Sequence, residues 1–225
     1  MFEPIAHIHT DLPSKFGLPR QSGLVPSLQG KIVFASAFRD PALIRGIGQF
    51  SHLWLLWQFN KPGMNATVRP PRLGGNERLG VFATRSPFRP NPIGLSCVRL
   101  VGVDYEEPSL VVSGVDLMDG TPILDIKPYL VYADSRPEAR SGFAGNAPGA
   151  RVSVDDPSGL LDILDSEHRM TLLGLLAQDP RPAYQHDPSR VYGMAYARWN
   201  VRFRVEGDVL TIVELTPADK SERGD

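Results

Sequence analysis

Apolar residues fall in short runs through the first half of the chain. "KIVFASAF", "HLWLLWQF", "LGVFAT", "IGLSCVRLVGV", "SLVVSGVDL" and "YLVYA" are each about strand length and rich in β-branched and aromatic side chains. Turn-forming stretches separate them: "NKPG", "RLGGN", "SPFRPNP", "EEP" and "MDGTP". Many short strands at this spacing predict a barrel or sandwich, not alternating βαβ units. After Tyr132 the pattern changes. "DSRPEARSGFAGNAPGARVSVDDPSG" is polar and rich in Gly and Pro, which predicts a linker or long excursion. "LLDILDSEHRMTLLGLLAQ" then places Leu160, Leu164, Leu172, Leu175 and Leu176 near helical spacing. Asp156 before Pro157 offers a helix start, and the two prolines of "DPRPAY" end it. "NVRFRVEGDVLTIVEL" predicts a hairpin turning at Gly207-Asp208, with Val201, Phe203 and Val205 on one face and Arg202 and Arg204 on the other. The expected fold is mainly β: a small β-barrel domain over residues 1–140, then a small α+β domain over 141–225.

Composition adds limits. With 225 residues, 42% apolar and 22% charged, the chain can bury a full core and is not disordered. A single cysteine, Cys97, excludes a disulfide framework and a thiolate metal cluster within one chain. No apolar run reaches membrane-spanning length, and "MFEPIAHIHTD" lacks the basic start and apolar centre of a signal peptide. A cytoplasmic protein without membrane contact is the expectation.

Charge is uneven. The formal net charge is −1, yet Arg69, Arg72, Arg78, Arg85, Arg89 and Arg99 share one window with only Glu77 opposing them. From Asp104 to Asp165 acids outnumber bases twelve to four. The molecule is polarised, and its basic window is built from arginine, whose planar fork binds phosphate and carboxylate bidentately. Arginine codons of a GC-rich genome explain the ratio of Arg to Lys as well as function does, but not the clustering.

Three stretches invite a chemical reading. "HIHT" sets His7 and His9 on one face of a strand, a spacing some metal hydrolases use, but only His52, His168 and His186 remain to complete such a site. Surface or half-buried histidines are the expectation. "RGIGQF" lacks the third glycine of a dinucleotide fingerprint and reads as a turn. "DLMDGTPILDIKPY" carries Asp116, Asp119 and Asp125. It could be a carboxylate cluster for Mg²⁺, a hairpin turn in which Asp119 bonds its own backbone, or a receptor for a cationic small molecule. Composition favours the turn.

The run "GVFATRSPFRPNPIGLS" is different in kind. Its prolines fix the backbone between two apolar segments, so Arg85 and Arg89 lose less ordering entropy when a ligand arrives. "NPIG" adds the Asn91 amide beside a proline. Rossmann-type amino-group methyltransferases use a similar Asn-Pro-Pro-aromatic element, but Ile93 and Gly94 break that pattern here.

Taken together, "TVRPPRLGGNERLGVFATRSPFRPNPIGLS" and "VDLMDGTPILDIKPYL" resemble the TsaA-like family of S-adenosylmethionine-dependent tRNA methyltransferases, also called TrmO. "PRQSGLV" and "FSHLWLLWQF" match upstream, and "AQDPRPAY" with the closing hairpin matches the C-terminal extension of bacterial members. The likeness covers essentially the whole chain. It implies a β-barrel enzyme that methylates N6 of threonylcarbamoyl-adenosine, just 3′ of the anticodon in threonine tRNA, and that forms a homodimer. It also implies S-adenosyl-L-methionine as donor and no metal. The segments that match the family's donor site are Ser22, Gly23 and Leu24, then Phe59 and Asn60, Arg85, Leu95, and the loop of Val115, Asp116, Leu117 and Met118.

From the reaction, further roles are expected. Arg85 would contact the donor or the threonyl carboxylate, and Arg89 and Asn91 would orient the base. Asp119, or water, would accept the N6 proton. Arg69, Arg72, Arg78, Arg181, Arg202 and Arg204 would bind tRNA phosphates, with Tyr184 stacking on an exposed base. Two features depart from the family pattern: Asn60 stands where many relatives carry His, and the His7–His9 pair has no counterpart. The alternatives are a non-enzymatic RNA-binding module with the same barrel and a Mg²⁺-dependent phosphoesterase built on Asp116, Asp119 and Asp125.

Overall fold

The structure is a computed structural model, and it describes residues 2–60, 63–70, 73, 77–145, 151–182, 185 and 187–218. Six strands close into an antiparallel barrel: β1 (Ala6–Thr10), β2 (Gln29–Phe34), β3 (His52–Gln58), β6 (Ile93–Asp104), β7 (Ser109–Ser113) and β8 (Thr121–Pro128). Their order around the barrel is β1-β2-β7-β6-β3-β8, with β8 returning to β1. A short ribbon, β4 (Thr67–Val68) and β5 (Leu79–Gly80), lies in the long connection between β3 and β6. The expected barrel is present, and closure leaves it without free sheet edges.

Alternation decides which side chains fill it. In β3, Leu53, Leu55 and Trp57 are buried while their neighbours are less so. In β6, Gly94, Ser96 and Val98 take the same inward positions. Trp57 stands opposite Gly94 in the β3–β6 register. A β-carbon on Gly94 would lie 2.2 Å from the Trp57 ring, so the indole occupies the space that a side chain would need.

Several sequence expectations are corrected here. "LGVFAT" is only the short β5 followed by a 3-10 turn at Val81–Ala83, closed by the Thr84 hydroxyl donating to the Val81 carbonyl at 2.9 Å. "YLVYA" is a single helical turn, α1 (Val131–Asp134), whose Asp134 carboxylate accepts from Leu130 N at 2.8 Å and Trp54 Nε1 at 3.0 Å. That local capping satisfies the backbone without a strand partner. The barrel's sixth strand is β8 instead, which begins within the "DGTP" turn and runs through residues given no element from the sequence. The expected single helix is also two elements. Asp156 caps a 3-10 turn, accepting from Leu160 N and Leu161 N, both at 2.9 Å. The α-helix, α2 (Ser166–Ala177), starts later on its own cap, Asp165, which accepts from Glu167 N and His168 N.

After the barrel a second sheet forms from β9 (Ser153–Asp155), β10 (Tyr192–Tyr196), β11 (Trp199–Glu206) and β12 (Val209–Pro217), in the order β10-β11-β12-β9. The hairpin turns at Gly207 and Asp208 as expected, with Val201, Phe203 and Val205 buried and Arg202 and Arg204 exposed. This unit packs on its own barrel. The segment 11–28, between β1 and β2, forms the seam: Phe16 stacks on Phe203 at 6.4 Å, Ala197 N donates to Asp11 O at 2.7 Å, and Thr171 Oγ1 donates to Ser27 O at 3.2 Å. One buried cluster runs from Ala6 and Ile8 of the barrel to Tyr196 and Phe203 of the second sheet. Among the described residues, no helix is long and apolar enough to cross a membrane.

Because a β-carbon on Gly94 would overlap the Trp57 ring, Gly94→Ala should destabilise the fold. Overpacking costs about 1–3 kcal/mol, and losing the indole's hydrogen bond adds about 1 kcal/mol. Urea denaturation should show a lower midpoint with an unchanged slope; an unchanged midpoint would mean the corner relaxes freely.

Candidate functional site

At the barrel end where β3 finishes and β6 begins, a cavity of about 790 Å³ opens. Its floor is an interlocked set. Trp57 Nε1 donates to Ser96 Oγ at 3.0 Å, and Ser96 Oγ donates to the Asp116 carboxylate at 2.6 Å. Phe59 leans on Trp57 with ring centroids 4.2 Å apart. The backbone of Ser22 also donates to Asp116. Burial pushes the Asp116 carboxyl above the ordinary carboxylate range, against the opposing pull of those hydrogen bonds and of Arg85. The cavity therefore contains a desolvated carboxylate with fixed partners, a setting that favours a positively charged ligand.

Two chain segments bring Asp116 to this place. Gly114, at φ +72°, turns the chain out of β7, and its carbonyl accepts from Gly23 N at 2.8 Å. A β-carbon at Gly114 would meet the Gly23 backbone at 3.3 Å, so the two glycines allow the segments to touch. Ser22 Oγ accepts from Cys97 N at 3.2 Å and ties the same segment to β6.

The proline-stiffened loop forms the opposite wall. Arg85, Pro87, Phe88 and Arg89 line the cavity. Arg85 Nη1 donates to Gln21 Oε1, bridging the loop to the segment before β2. Arg89 ties one end of its guanidinium to the loop: its Nη1 donates to the carbonyls of Thr84 at 3.0 Å and Ser86 at 3.1 Å. It holds the loop's shape.

The predicted residues separate accordingly. Phe59, Asn60, Arg85, Leu95, Asp116, Leu117 and Met118 line this cavity together with Arg89. Ser22 and Gly23 support it from behind through the bonds above, while Leu24 lines neighbouring clefts. Val115 is fully buried in the core. Asn91 is exposed on the turn, where its carbonyl accepts from Ile93 N at 2.8 Å, and is not in the lining. Asp119 turns away into an adjacent groove, where its carboxylate accepts from Thr10 N at 3.1 Å and pairs with His9 Nδ1 at 3.2 Å. That bond anchors the loop on β1. His7 and His9 both face outward from β1.

The expected tRNA-binding arginines also divide. Arg181 is committed to Asp179 through two bonds of 2.8 and 3.0 Å, and Arg202 pairs with Glu214 at 2.9 Å. Arg69, Arg78 and Arg204 are exposed. Arg72 and Tyr184 lie outside the described residues. Asp125 pairs with Lys127 at 2.7 Å, so Asp116, Asp119 and Asp125 do not converge. Among the described residues, no group of three or more His, Cys, Asp or Glu side chains could hold a metal.

The sequence reading missed Trp57, Gly94 and Ser96, which build the floor. Only the alternation of β3 against β6 signals them, and that needs the register. It also missed Lys15, Arg20 and Gln21 on the rim, since a segment between strands carries no period to reveal which way it faces.

Comparison with known proteins agrees with this architecture. The family model described as the tRNA-methyltransferase O N-terminal domain matches residues 7–135, and the TrmO C-terminal domain matches residues 165–218. A protein of Escherichia coli (strain K12), named tRNA (adenine(37)-N6)-methyltransferase, is 43% identical over 96% of this chain and 97% of its own. A protein of that name from Eikenella corrodens is 48% identical over 70% of this chain and 92% of its own. The crystal structure of TrmO from Pseudomonas aeruginosa superposes with a TM-score of 0.80 at 34% identity, covering 97% of both chains. With both domain models in order along a barrel and an appended sheet, the chain belongs to the tRNA-methyltransferase O family.

Proposed function

We propose that this protein is an S-adenosylmethionine-dependent tRNA methyltransferase that methylates N6 of the adenosine beside the anticodon, in the threonylcarbamoyl-modified form carried by threonine tRNA. The observation that carries this reading is the half-buried, partly desolvated Asp116 carboxylate in a cavity walled by an arginine-bearing, proline-stiffened loop, in a chain of this family. Homodimer formation and action in the cytoplasm belong to the same reading and are supported by the family likeness.

The residues present suit the donor. Asp116 offers negative charge, and Phe59, Leu95, Leu117 and Met118 offer apolar surface for the uncharged parts. When bound, the donor supplies a methyl group on a positively charged sulfur, activated for in-line displacement. What the chain must contribute is position, which can lower a barrier by up to about 7–11 kcal/mol in favourable cases. Trp57 and Ser96 fix the carboxylate. Gln21 fixes Arg85, whose fork suits the threonyl carboxylate at the cavity mouth. Asp119, held on Thr10 and His9 in the adjacent groove, would lie outside this cavity, so water would accept the N6 proton.

Three measurements check this. With labelled donor, the protein should label threonine tRNA bearing threonylcarbamoyl-adenosine and leave the unmodified transcript unlabelled; labelling of both equally would remove the proposed substrate. Arg85→Ala should lower transfer by about 10²-fold or more with circular dichroism unchanged, whereas full activity would take Arg85 out of the site. Asp116→Asn keeps the side chain's size but removes its charge. Calorimetry should show S-adenosylmethionine binding weakened roughly ten-fold or more, with the neutral product S-adenosylhomocysteine much less affected. Thermal stability of the unliganded variant should not fall, because a desolvated charge has been removed.

A further inference from the structure

Beyond the mouth of the donor cavity runs a second groove, about 1140 Å³ in volume, that shares Arg20, Gln21 and Arg85 with it. Its two banks come from different parts of the chain. On one side the β4–β5 ribbon and the turn after it carry Arg69, Arg78 and Phe82. On the other stand Phe143 and Arg151, from the Gly- and Pro-rich stretch that joins the barrel to the second sheet. Among the described residues, five arginines line this groove and no acid does. In a chain of net charge −1, that is a local concentration of positive charge.

The aromatic rings narrow the identity of the ligand. Phe82 is 77% exposed and Phe143 38% exposed. Phe82 carries the Arg89 guanidinium 6.0 Å from its ring centroid, so the ring is backed from the side of the stiff loop. Phosphate binding alone needs cations and gains nothing from exposed phenyl groups. A duplex keeps its bases stacked on one another, whereas unstacked bases can lie on aromatic side chains. Cations interleaved with exposed rings on two facing banks suit a single strand.

We infer that this groove holds the unpaired nucleotides flanking the target adenosine, with their phosphates on Arg69, Arg20 and Arg151 and their bases against Phe82 and Phe143. The inference rests on the tRNA reading above and adds to it a track and a chemical class: single-stranded RNA, continuous with the donor cavity through Arg20 and Arg85. It gives the joining stretch a function. Ser141–Ala144 and Arg151 form the far bank of the substrate path, and Arg151 is held there by its backbone N–H donating to the Ala177 carbonyl at 2.8 Å, at the end of α2. The second unit thereby places a residue at the substrate without contributing to the donor cavity. Arg181 and Arg202, already paired with Asp179 and Glu214, are not part of the track.

The test measures RNA binding apart from turnover. Fluorescence anisotropy of the full-length protein with a labelled single-stranded oligonucleotide of anticodon-loop sequence is compared for wild type, Phe143→Ala, Arg151→Ala and Arg151→Lys. Calorimetry with S-adenosylmethionine, which should be unchanged in all four, shows that each is folded. Phe143→Ala should weaken the oligonucleotide roughly ten-fold through loss of one stacked base. Arg151→Ala should also weaken it and reduce the slope of log affinity against log salt by about 0.7, the single-strand value for one phosphate contact, while Arg151→Lys keeps that slope. Unlabelled loop oligonucleotide should displace the label, and a duplex of anticodon-stem sequence should not. The inference is overturned if both alanine variants keep wild-type affinity and slope, or if the duplex competes as well as the loop. Failure of the functional reading is a separate outcome: wild-type protein would transfer no methyl group to any tRNA, whatever the groove variants bind.

Discussion

The site depends on one contact, the face of Trp57 against the bare α-carbon of Gly94. Only glycine at that position in β6 lets the indole lie across the inside of the barrel. Once there, its N–H reaches Ser96, and the Ser96 hydroxyl, having accepted one bond, donates its own proton to Asp116. A hydroxyl used in this way has a fixed orientation, and so does the carboxylate that receives it. The carboxylate is half-buried but not orphaned, which is what allows the barrel to keep a charge-bearing residue at its end. Position in the core thus becomes position in the site.

The same economy explains why the Asp116 cavity and the arginine-lined groove meet where they do. The segment 11–28 packs against the second sheet on one side and touches the Asp116 loop on the other, through the Gly23–Gly114 bond. Its Arg20 and Gln21 therefore stand between the two cavities. The proline-rich loop closes that arrangement from across the gap, its shape kept by Arg89 on its own carbonyls and its tip tied by Arg85 to Gln21. Little has to be ordered when ligands arrive, and lower ordering cost is a gain in binding or rate.

Much of this was legible from the residues. Alternation in "HLWLLWQF" and the Gly207-Asp208 turn gave strands and a hairpin because period and turn chemistry are local properties. The prolines around Arg85 mark a stiff loop for the same reason, and that loop lines the cavity. What was not legible depends on contacts distant in sequence. "YLVYA" has strand composition, yet Asp134 captures its backbone and Trp54 holds that aspartate. Only the "DGTP" turn is read from the next stretch, yet the residues after it form the strand that closes the barrel, pairing with β3 and β1 on its two sides. Asp119 or water is the expected acceptor for the N6 proton, but Thr10 and His9 draw Asp119 to β1. The arginines could be counted but not sorted: Asp179 and Glu214 remove Arg181 and Arg202, and only folding brings Arg20 and Arg151 into line with Arg69.

The central claim is that Asp116 is kept as a half-buried, partly desolvated carboxylate to meet a cationic donor. Burial raises its pKa from the ordinary 3.8, so in the unliganded protein it takes up a proton at a higher pH than a surface aspartate does. A ligand that prefers the ionised form must draw that pKa down, and a neutral ligand must not. Carbon-13 NMR of the labelled Asp116 carboxyl, titrated with pH alone, with S-adenosylmethionine and with S-adenosylhomocysteine, measures this directly. The account predicts a clear downward shift with the donor and little or none with the product; a midpoint that moves equally with both, or with neither, would contradict it.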